Sequence, residues 1–350
     1  MIRITDIPNL EGYGVFVDNI DFKHLTRKEW MDLGKLQMKK LVMIIRSTGL
    51  DSRSFHQVIK KWGQDRQNYA ATLFARYPWA NGQVDQIIAS TEVSEEEKKI
   101  IREFQRVGGC NQKTGNTLRV SGKKVNGQRI GMFADGELLW HSNESGDIAF
   151  TPAVALLGDH GMVGSATGFM VTAPYYYSLS ESFRSELDEM VLIHNFQEGM
   201  INRNDENNVV YKNMCPDPDT EIPLVIKSPV GIKGLHYPYN TAMRVKGMSQ
   251  SESVRFLNDL KWGLANYTYD YWWENDDDLV IFDNSIVQHR RLGNTKGRLC
   301  YRYQFDYTYL QYKVTKRPYM PYLQEPYMSR YRERVKNISK TFPVFGYQPS

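Results

Sequence analysis

The stretch from Asp276 to Phe305, DDDLVIFDNSIVQHRRLGNTKGRLCYRYQF, holds two apolar segments separated by a polar turn. Apolar segments of this length with turn residues on both sides predict β-strands. His289 lies beside the end of the first segment, and arginines follow it in the second. The stretch therefore predicts two strands with a histidine between them.

The same pattern extends over much of the chain. From about residue 127 to 310, short apolar stretches alternate with turn clusters, and helical segments interrupt them near residues 180–197 and 249–266. Such spacing is typical of an antiparallel β-barrel or jelly roll. The apolar stretches are IGMFA, LLWH, FTPAVALLG, TGFMV, EIPLVIKSPVG, DLVIFDN and RLCYRYQFDY.

The N-terminal third predicts helices mixed with short strands. Residues Gly12–Asp21 resemble a strand pair with a glycine turn, and Leu41–Arg46 predicts a buried strand. Thr26 with Glu29 three residues later forms a capping-box pattern, which predicts a helix through about Leu41. Two further helices are predicted, one from Ser52 or Ser54 to about Trp62 and one over residues 90–107, capped by Ser90 or Ser94.

Composition narrows the class of protein. The 350 residues are 41% hydrophobic and 24% charged, with a net charge of +4, which excludes wholesale disorder and a dedicated duplex-binding protein. The sequence contains no run of about 18 apolar residues, so no membrane span is predicted, and the N-terminus lacks a signal-peptide pattern. Cys110, Cys215 and Cys300 are too few and too far apart for a disulfide framework, so the expected location is the cytoplasm.

The last forty residues differ from the body of the chain. They carry prolines, tyrosines and an excess of Arg and Lys, which predicts an extended strap with a short basic helix. We expect one domain over residues 1–310 and a strap over 311–350 that packs on the body or on a neighbouring subunit. A nucleic-acid role for the basic tail at 330–340 is the minority hypothesis, and association into a homo-oligomer stays open.

Two histidines stand in contexts that favour a metal centre. A non-haem Fe(II) site needs two neutral imidazoles and usually one carboxylate on one face of the metal. Because residues i and i+2 of a strand point the same way, His141 and residue 143 could chelate together, with His289 arriving from another strand. Arg298 and Arg302 follow His289, and arginine is suited to clamping a carboxylate through two hydrogen bonds.

At this point the sequence resembles the taurine dioxygenase (TauD/TfdA) family of Fe(II)/2-oxoglutarate-dependent oxygenases. The resemblance covers roughly residues 8–308 and rests on seven pieces that occur in the family's order. The pieces are GYGVFVDNIDFKHLT, LVMIIRSTGLDSRSFHQVIKKWG, GELLWHSN, the TP–LL stretch, GSATGFM, SPVGIKGLHYPYNTAMRVKGMSQSES and DDDLVIFDNSIVQHR with the arginines behind it.

The resemblance implies a role for each matching residue. His141 and His289 correspond to the two metal-binding histidines. Arg298 corresponds to the arginine that pairs with the C5 carboxylate of 2-oxoglutarate, and Thr167 to the threonine that supports this cosubstrate. Arg302 corresponds to the arginine that contacts the sulfonate of taurine, and here it would serve an anionic substrate group or be structural.

The sequence departs from the family at the third metal ligand, where His-x-Asp or His-x-Glu is replaced by His141-Ser142-Asn143-Glu144. In one interpretation Asn143 binds iron through its amide oxygen or a water. In another the strand has one extra residue, and Glu144 or Asp147 supplies the carboxylate. In a third the carboxylate is absent and a halide fills the position, as in halogenating relatives.

The resemblance implies a mainly β fold with flanking α-helices, a double-stranded β-helix (jelly roll, cupin-like) core with N-terminal helices. It also implies Fe(II) and 2-oxoglutarate with O₂, and a dioxygenase that hydroxylates an unactivated C–H bond of a small polar or anionic molecule. The alternative function is a non-catalytic or halogenase-like relative marked by Asn143. Four further histidines are predicted to be structural or solvated, namely His56, His160, His194 and His236.

Overall fold

The computed structural model describes most of the chain. The described residues are 2–63, 77–80, 83–106, 117–133, 135–195, 219–316, 325–330, 332–333 and 336. The strands are β1 (Arg3–Asp6), β2 (Gly14–Asp18), β3 (Val42–Ile45), β4 (Leu118–Val120), β5 (Lys124–Val125), β6 (Gln128–Arg129), β7 (Leu138–His141), β8 (Ala153–His160), β9 (Ser165–Val171), β10 (Val191–His194), β11 (Thr220–Pro223), β12 (Val225–Lys227), β13 (Lys233–Leu235), β14 (Ala242–Val245), β15 (Thr268–Trp272), β16 (Leu279–Asp283), β17 (Val287–Gly293) and β18 (Leu299–Phe305). The α-helices are α1 (Arg27–Lys40), α2 (Ser52–Ile59), α3 (Val84–Ala89), α4 (Glu95–Arg106), α5 (Ala173–Ser178), α6 (Glu181–Glu189), α7 (Gln250–Leu264) and α8 (Thr308–Thr315), with a 3-10 turn at Pro78–Ala80.

Two sheets carry the core. A seven-stranded sheet has the order β1-β2-β3-β16-β8-β18-β4, and a four-stranded sheet has the order β15-β9-β17-β7. Their inner faces meet where Phe169 of β9 packs against Phe282 of β16, with the ring centres 5.4 Å apart. The predicted class, mainly β with flanking helices, is confirmed.

The first helix follows from its capping sequence. Glu29 and Thr26 form the reciprocal capping box, and the helix ends at Leu41, whose φ of 62° stops it. Buried Trp30, Leu33 and Met38 on this helix belong to the cluster that covers the outer face of the seven-stranded sheet. The predicted helix is confirmed, as is the buried strand that follows it as β3.

Several predicted boundaries were wrong. The N-terminal strand pair is formed by β1 and β2, so its first strand precedes Gly12. Helix α2 is capped by Asp51 rather than by Ser52 or Ser54, although Ser54 completes the capping box. Helix α4 begins at Glu95, with the hydroxyl of Ser94 accepting a hydrogen bond in its first turn, so Ser90 does not cap it.

The predicted helix over 180–197 is shorter than expected. It ends at Glu189, and Val191–His194 forms β10, which pairs with β11 and β14. The run VLIH has the apolar, branched side chains that favour strands once partners are present. The local pattern could not reveal those partners, because they lie further along the chain.

Helix α8 crosses the predicted domain boundary at residue 310. Leu310 is buried, and it packs with Trp62 against Gly34 of α1, where a side chain would find no room. Tyr307 donates a hydrogen bond from its hydroxyl to Oε1 of Gln37 at 2.5 Å. This segment is therefore docked on the first helix, while residues 317–324 and 337–350 of the predicted strap lie outside the described residues.

Two predictions from composition can be compared with the described part of the chain. None of its helices has the length and apolar character needed to cross a membrane. Cys300 is a buried free thiol, and Cys110 and Cys215 fall outside the described residues.

The capping box of α1 gives a stability test. We expect Thr26→Ala to lower the free energy of unfolding by about 1 kcal/mol, because Glu29 loses the acceptor for its backbone N–H. Urea unfolding monitored by circular dichroism measures the change. Thr26→Ser keeps the hydroxyl and should retain most of the stability; equal losses in both variants would contradict a capping role.

Candidate functional site

The register of two antiparallel strands brings His141 and His289 together. His141 ends β7 and lies directly opposite His289 of β17. Their ring centres are 4.0 Å apart, and both side chains are buried. The ring of Phe282 packs on His289 from the facing sheet, with the ring centres 4.7 Å apart. Two histidines distant in sequence thus form one pair inside the core.

Both imidazoles are neutral. His141 donates from Nδ1 to the backbone carbonyl of Leu139 at 2.6 Å, which leaves its lone pair on Nε2. Burial lowers the pKa of His141 to about 4 and, with the positive charge of Arg302 contributing, holds the pKa of His289 well below its usual value. Nδ1 of His289 is buried, and no described residue forms a hydrogen bond with it. Neutral imidazoles with unused lone pairs are the form that metal binding requires.

Asn143 is held beside this pair by its own backbone. Its N–H donates to Oδ1 of Asn284 at 2.9 Å, and its carbonyl accepts from Nδ2 of Asn284 at 2.8 Å. Oδ1 of its side chain accepts from Nη1 of Arg302 at 3.4 Å, and the buried Nδ2 has no hydrogen-bond partner in the described part of the chain. The amide is therefore oriented by a positive charge, with its oxygen toward the guanidinium.

The two neighbouring carboxylates close the following turn. Glu144 has a φ of 59°, and its Oε2 accepts from the backbone N–H and the hydroxyl of Thr151 at 3.0 and 2.7 Å. Oδ1 of Asp147 accepts from the N–H of Ala149 at 2.9 Å. Within the described residues, no three His, Cys, Asp or Glu side chains are grouped so that they could hold a metal. These contacts favour Asn143 over Glu144 or Asp147 as the third ligand, which stays a prediction.

Arg298 contacts β9, the strand that carries Thr167. Arg298 is buried just before β18 and donates from Nη1 to Oγ of Ser165 at 3.1 Å, while its Nε finds no acceptor among the described residues. Ser165 and Thr167 are two residues apart on β9 and share a face. Oγ1 of Thr167 accepts from Nε1 of Trp273 at 3.0 Å. Burial lowers the pKa of Arg298, although a guanidinium remains charged in proteins.

Arg291 is a further residue of the site, and none of the predictions from the sequence included it. This buried residue donates from Nε to the carbonyl of Gly136 at 2.7 Å and from Nη1 to that of Phe133 at 3.1 Å. It fixes the loop that leads into β7, and Phe133 also packs under the guanidinium of Arg302 at 5.5 Å. Its position two residues after His289, on the same strand face, was the signal that could have revealed it.

Of the four histidines predicted to be structural or solvated, His160 is exposed and His56 is half-buried against Tyr303. His194 and His236 are fully buried. His236 donates from Nδ1 to the backbone carbonyl of Ser285 at 2.7 Å, and burial lowers its pKa to about 4.

Comparisons with known proteins agree with this architecture. The sequence profile described as "Taurine catabolism dioxygenase TauD, TfdA family" matches residues 17–304. A structure of AAD-2 in complex with Mn(II) and N-oxalylglycine superposes with a TM-score of 0.59 at 18% identity, covering 87% of this chain and 97% of that one. A taurine dioxygenase from Burkholderia xenovorans superposes with a TM-score of 0.58 at 16% identity, covering 87% and 89%. No curated protein sequence matches the chain.

The buried histidines predict a pH-dependent stability. A histidine whose pKa falls from 6.5 to about 4 on folding binds fewer protons in the folded state than in the unfolded state. The free energy of unfolding therefore decreases as the pH falls below 6.5. We expect wild type to lose about 2 kcal/mol more than His236→Phe between pH 7 and pH 5, measured by urea unfolding. Equal losses of unfolding free energy in the two proteins between pH 7 and pH 5 would show that His236 protonates freely when folded.

Proposed function

Because this chain belongs to the TauD, TfdA family of taurine catabolism dioxygenases, and is therefore an oxidoreductase, we propose that it is an Fe(II)- and 2-oxoglutarate-dependent dioxygenase. In this proposal it hydroxylates an unactivated C–H bond of a small polar or anionic molecule, with release of succinate and CO₂. One observation carries the proposal. Two buried neutral imidazoles, from His141 and His289, face each other across adjacent strands with Asn143 and Arg302 beside them.

The proposed fold is a double-stranded β-helix. The four-stranded sheet and the central part of the seven-stranded sheet would be its two walls, and the N-terminal helices would cover the outer face of the larger wall. The contact between Phe169 and Phe282 across the core supports this arrangement. A jelly roll leaves the space between its sheets for side chains or a ligand, which suits a buried site.

The donor set fits a divalent iron. His141 and His289 would each bind through an imidazole nitrogen, and Asn143 would complete the site through its amide oxygen or a bound water. Two imidazoles are the common part of non-haem Fe(II) sites. Replacing the usual carboxylate by a neutral amide removes one negative charge, so the site would hold iron more weakly. The Mn(II) in the related AAD-2 structure supports a metal-dependent reaction.

The cosubstrate would be held by residues on β9 and beside β18. Arg298 would pair with the far carboxylate of 2-oxoglutarate, since its guanidinium is buried and its Nε–H is unused. Thr167 would support the same carboxylate with its hydroxyl. When Fe(II), 2-oxoglutarate and O₂ are bound, they supply the oxidation that inserts oxygen into the C–H bond.

The protein's own groups would orient the substrate and exclude water. Arg302 would bind an anionic substrate group, because its buried guanidinium reaches the amide of Asn143 at the metal position. A carboxylate at residue 143 would instead form a buried ion pair with this arginine. With the neutral Asn143, this contact is a hydrogen bond from a charged group to an amide and not a buried ion pair.

The remaining parts of the proposal concern context. We propose a small-molecule substrate, a cytoplasmic location and no membrane or nucleic-acid partner. The unit that carries this activity would be the domain over residues 1–310, with 311–350 as an accessory strap. The compositional balance supports the absence of a nucleic-acid partner, since the chain has 44 basic and 40 acidic residues. Homo-oligomerisation is left open.

A second candidate function follows from Asn143. The absence of a third acidic or histidine ligand within the described residues is what a non-catalytic or halogenase-like relative would show. In the halogenase-like case a halide would occupy the third position. The experiment below separates these cases from the dioxygenase.

The first test is an anaerobic titration with Fe(II) and 2-oxoglutarate, observed through the visible charge-transfer band. We expect a band in wild type and none in His289→Ala. Loss of an outer-shell partner weakens metal binding roughly 10- to 100-fold, so Asn143→Ala, which removes a ligand, should weaken Fe(II) binding at least as much. Asn143→Asp should bind Fe(II) more tightly, because a carboxylate adds a negative charge.

Glu144→Gln is the matched control. Its amide oxygen can still accept both hydrogen bonds from Thr151, so the band should match that of wild type. A band lost in Glu144→Gln but kept in Asn143→Ala would make Glu144 the third ligand. No band in wild type at any iron concentration would favour the non-catalytic relative, and a band that shifts with chloride would favour the halogenase-like one.

Arg298 gives a separate test of the cosubstrate site. We expect Arg298→Gln to weaken 2-oxoglutarate binding roughly 10- to 150-fold, since it removes a charge-assisted hydrogen bond. Isothermal titration with the metal present measures this. Arg290→Gln is the control, because Arg290 pairs with Asp270 on the opposite face of β17. Equal weakening in both variants would argue against a specific role for Arg298.

A further inference from the structure

A second pair of histidines lies close to the first. His194 ends β10 and His236 follows β13, and their ring centres are 5.6 Å apart. Both side chains are 1% exposed. Sequence reasoning predicted structural roles for them, and nothing in the proposed iron or 2-oxoglutarate sites uses them.

Their hydrogen bonds define where each ring keeps its proton. His236 donates from Nδ1 to the carbonyl of Ser285, which can only accept. His194 bonds through Nδ1 to Oγ1 of Thr241 at 3.0 Å, and that hydroxyl donates its hydrogen to Oγ of Ser145 at 2.8 Å. Thr241 must therefore accept from His194. Both rings carry the proton on Nδ1 and a lone pair on Nε2.

Both Nε2 atoms are buried, and neither has a hydrogen-bond partner among the residues that the structure describes. Burial lowers the pKa of each imidazole, so neither ring gains a proton that could relieve this near neutral pH. A buried acceptor without a donor is costly, so each one requires an explanation. The two ring centres are 5.6 Å apart, and a bound ligand with a hydrogen-bond donor is one way to supply what is missing.

The pair is attached to the segments that carry His141 and His289. Ser145, which closes the chain of hydrogen bonds from His194, lies four residues after His141. Ser285, which accepts from His236, lies four residues before His289. Phe150 stacks on the ring of His236, with the ring centres 4.5 Å apart and the planes 9° from parallel. The second pair is therefore anchored next to the candidate metal site.

We propose that Nε2 of His194 and Nε2 of His236 form an acceptor subsite that binds an uncharged hydrogen-bond donor of the substrate, a hydroxyl or an amide N–H. The inference rests on the proposed function and narrows its substrate class. With Arg302 binding an anionic group, the substrate is a carboxylate, or similar anion, that carries a hydroxyl or amide at its other end.

The surroundings favour an uncharged donor. The groups that contact the pair are the hydroxyl of Thr241, the backbone carbonyl of Ser285 and the ring of Phe150, and none of them carries a charge. An ammonium would be buried there without a counter-ion, at high cost. A metal would need a third ligand, and no such group of three His, Cys, Asp or Glu occurs in the part of the chain that the structure describes.

The test uses three series of carboxylates of increasing chain length, with a terminal hydroxyl, a terminal primary amide or a terminal methyl ether. The full chain is labelled with nitrogen-15 at its seven histidines, and each compound is added to the metal-free protein. We expect compounds of one donor series to shift the Nε2 signals of His194 and His236 and to bind roughly tenfold more tightly than the matched ether. Which series does so identifies the donor.

The variants assign the signals and measure each contact. His194→Phe and His236→Phe keep an aromatic ring and remove the acceptor, so each should weaken binding of the donor compound at least about threefold and leave the ether unchanged. His160→Gln changes an exposed histidine and should bind like wild type. The measurement on wild type decides the question if a Phe variant does not fold.

Four results would overturn the inference. They are equal binding of donor and ether compounds, shifts confined to other histidines, Zn(II) binding that requires both His194 and His236, and binding of no compound in any series. The Fe(II) and 2-oxoglutarate band is recorded on a separate portion of the same preparation after the metal is added. Its absence would contradict the proposed function, while the histidine signals of the metal-free protein still test the subsite.

Discussion

The side chain of Asn284 is the constraint on which the site depends. Its amide accepts from the N–H of Asn143 and donates to the carbonyls of Asn143 and Thr151, and all three bonds are buried. This residue begins the turn that leads into His289, so one amide ties the segment after His141 to the segment before His289. Buried networks of this kind fix a single arrangement, since every unmade bond is costly.

The hydrogen bonds of Asn284 affect the surroundings of both histidine pairs. Between Asn143 and Thr151 the chain makes a tight turn that is closed by the carboxylate of Glu144. The turn presents Ser145 toward Thr241 and Phe150 toward His236. Glu144, which the sequence offered as an alternative metal ligand, therefore positions the residues that pack beside His194 and His236. Its carboxylate contributes to structure through the two bonds from Thr151.

Much of the fold could be predicted because local signals and tertiary partners agree. The capping box at Thr26 and the strands β3, β16 and β18 follow from short segments of sequence. The prediction that His289 lies between two strands was wrong, because His289 is on a further strand, β17, between β16 and β18. The failures have a common cause. The segment at Val191 reads as the end of a helix until β11 and β14 offer it hydrogen bonds, and the left-handed backbone of Glu144 is stabilised by Thr151 seven residues away. His194 lies in none of the matching pieces, and the piece that contains His236 does not reveal that the two rings meet, since Thr241 and Ser285 orient them.

The strand order has a consequence for how the chain acquires its site. In the larger sheet, β16 lies between β3 and β8, so Leu279 pairs with Ile45 near the N-terminus on one side and with Leu157 on the other. The turn that follows β16 leads directly to His289. During synthesis, β3 and β8 therefore leave the ribosome long before the strand that joins them, and each presents an unpaired apolar edge until then. Such nonlocal pairing slows folding and exposes intermediates to aggregation. Assembly of the site is thus a late event, and the nascent chain is a candidate for chaperone protection up to that point.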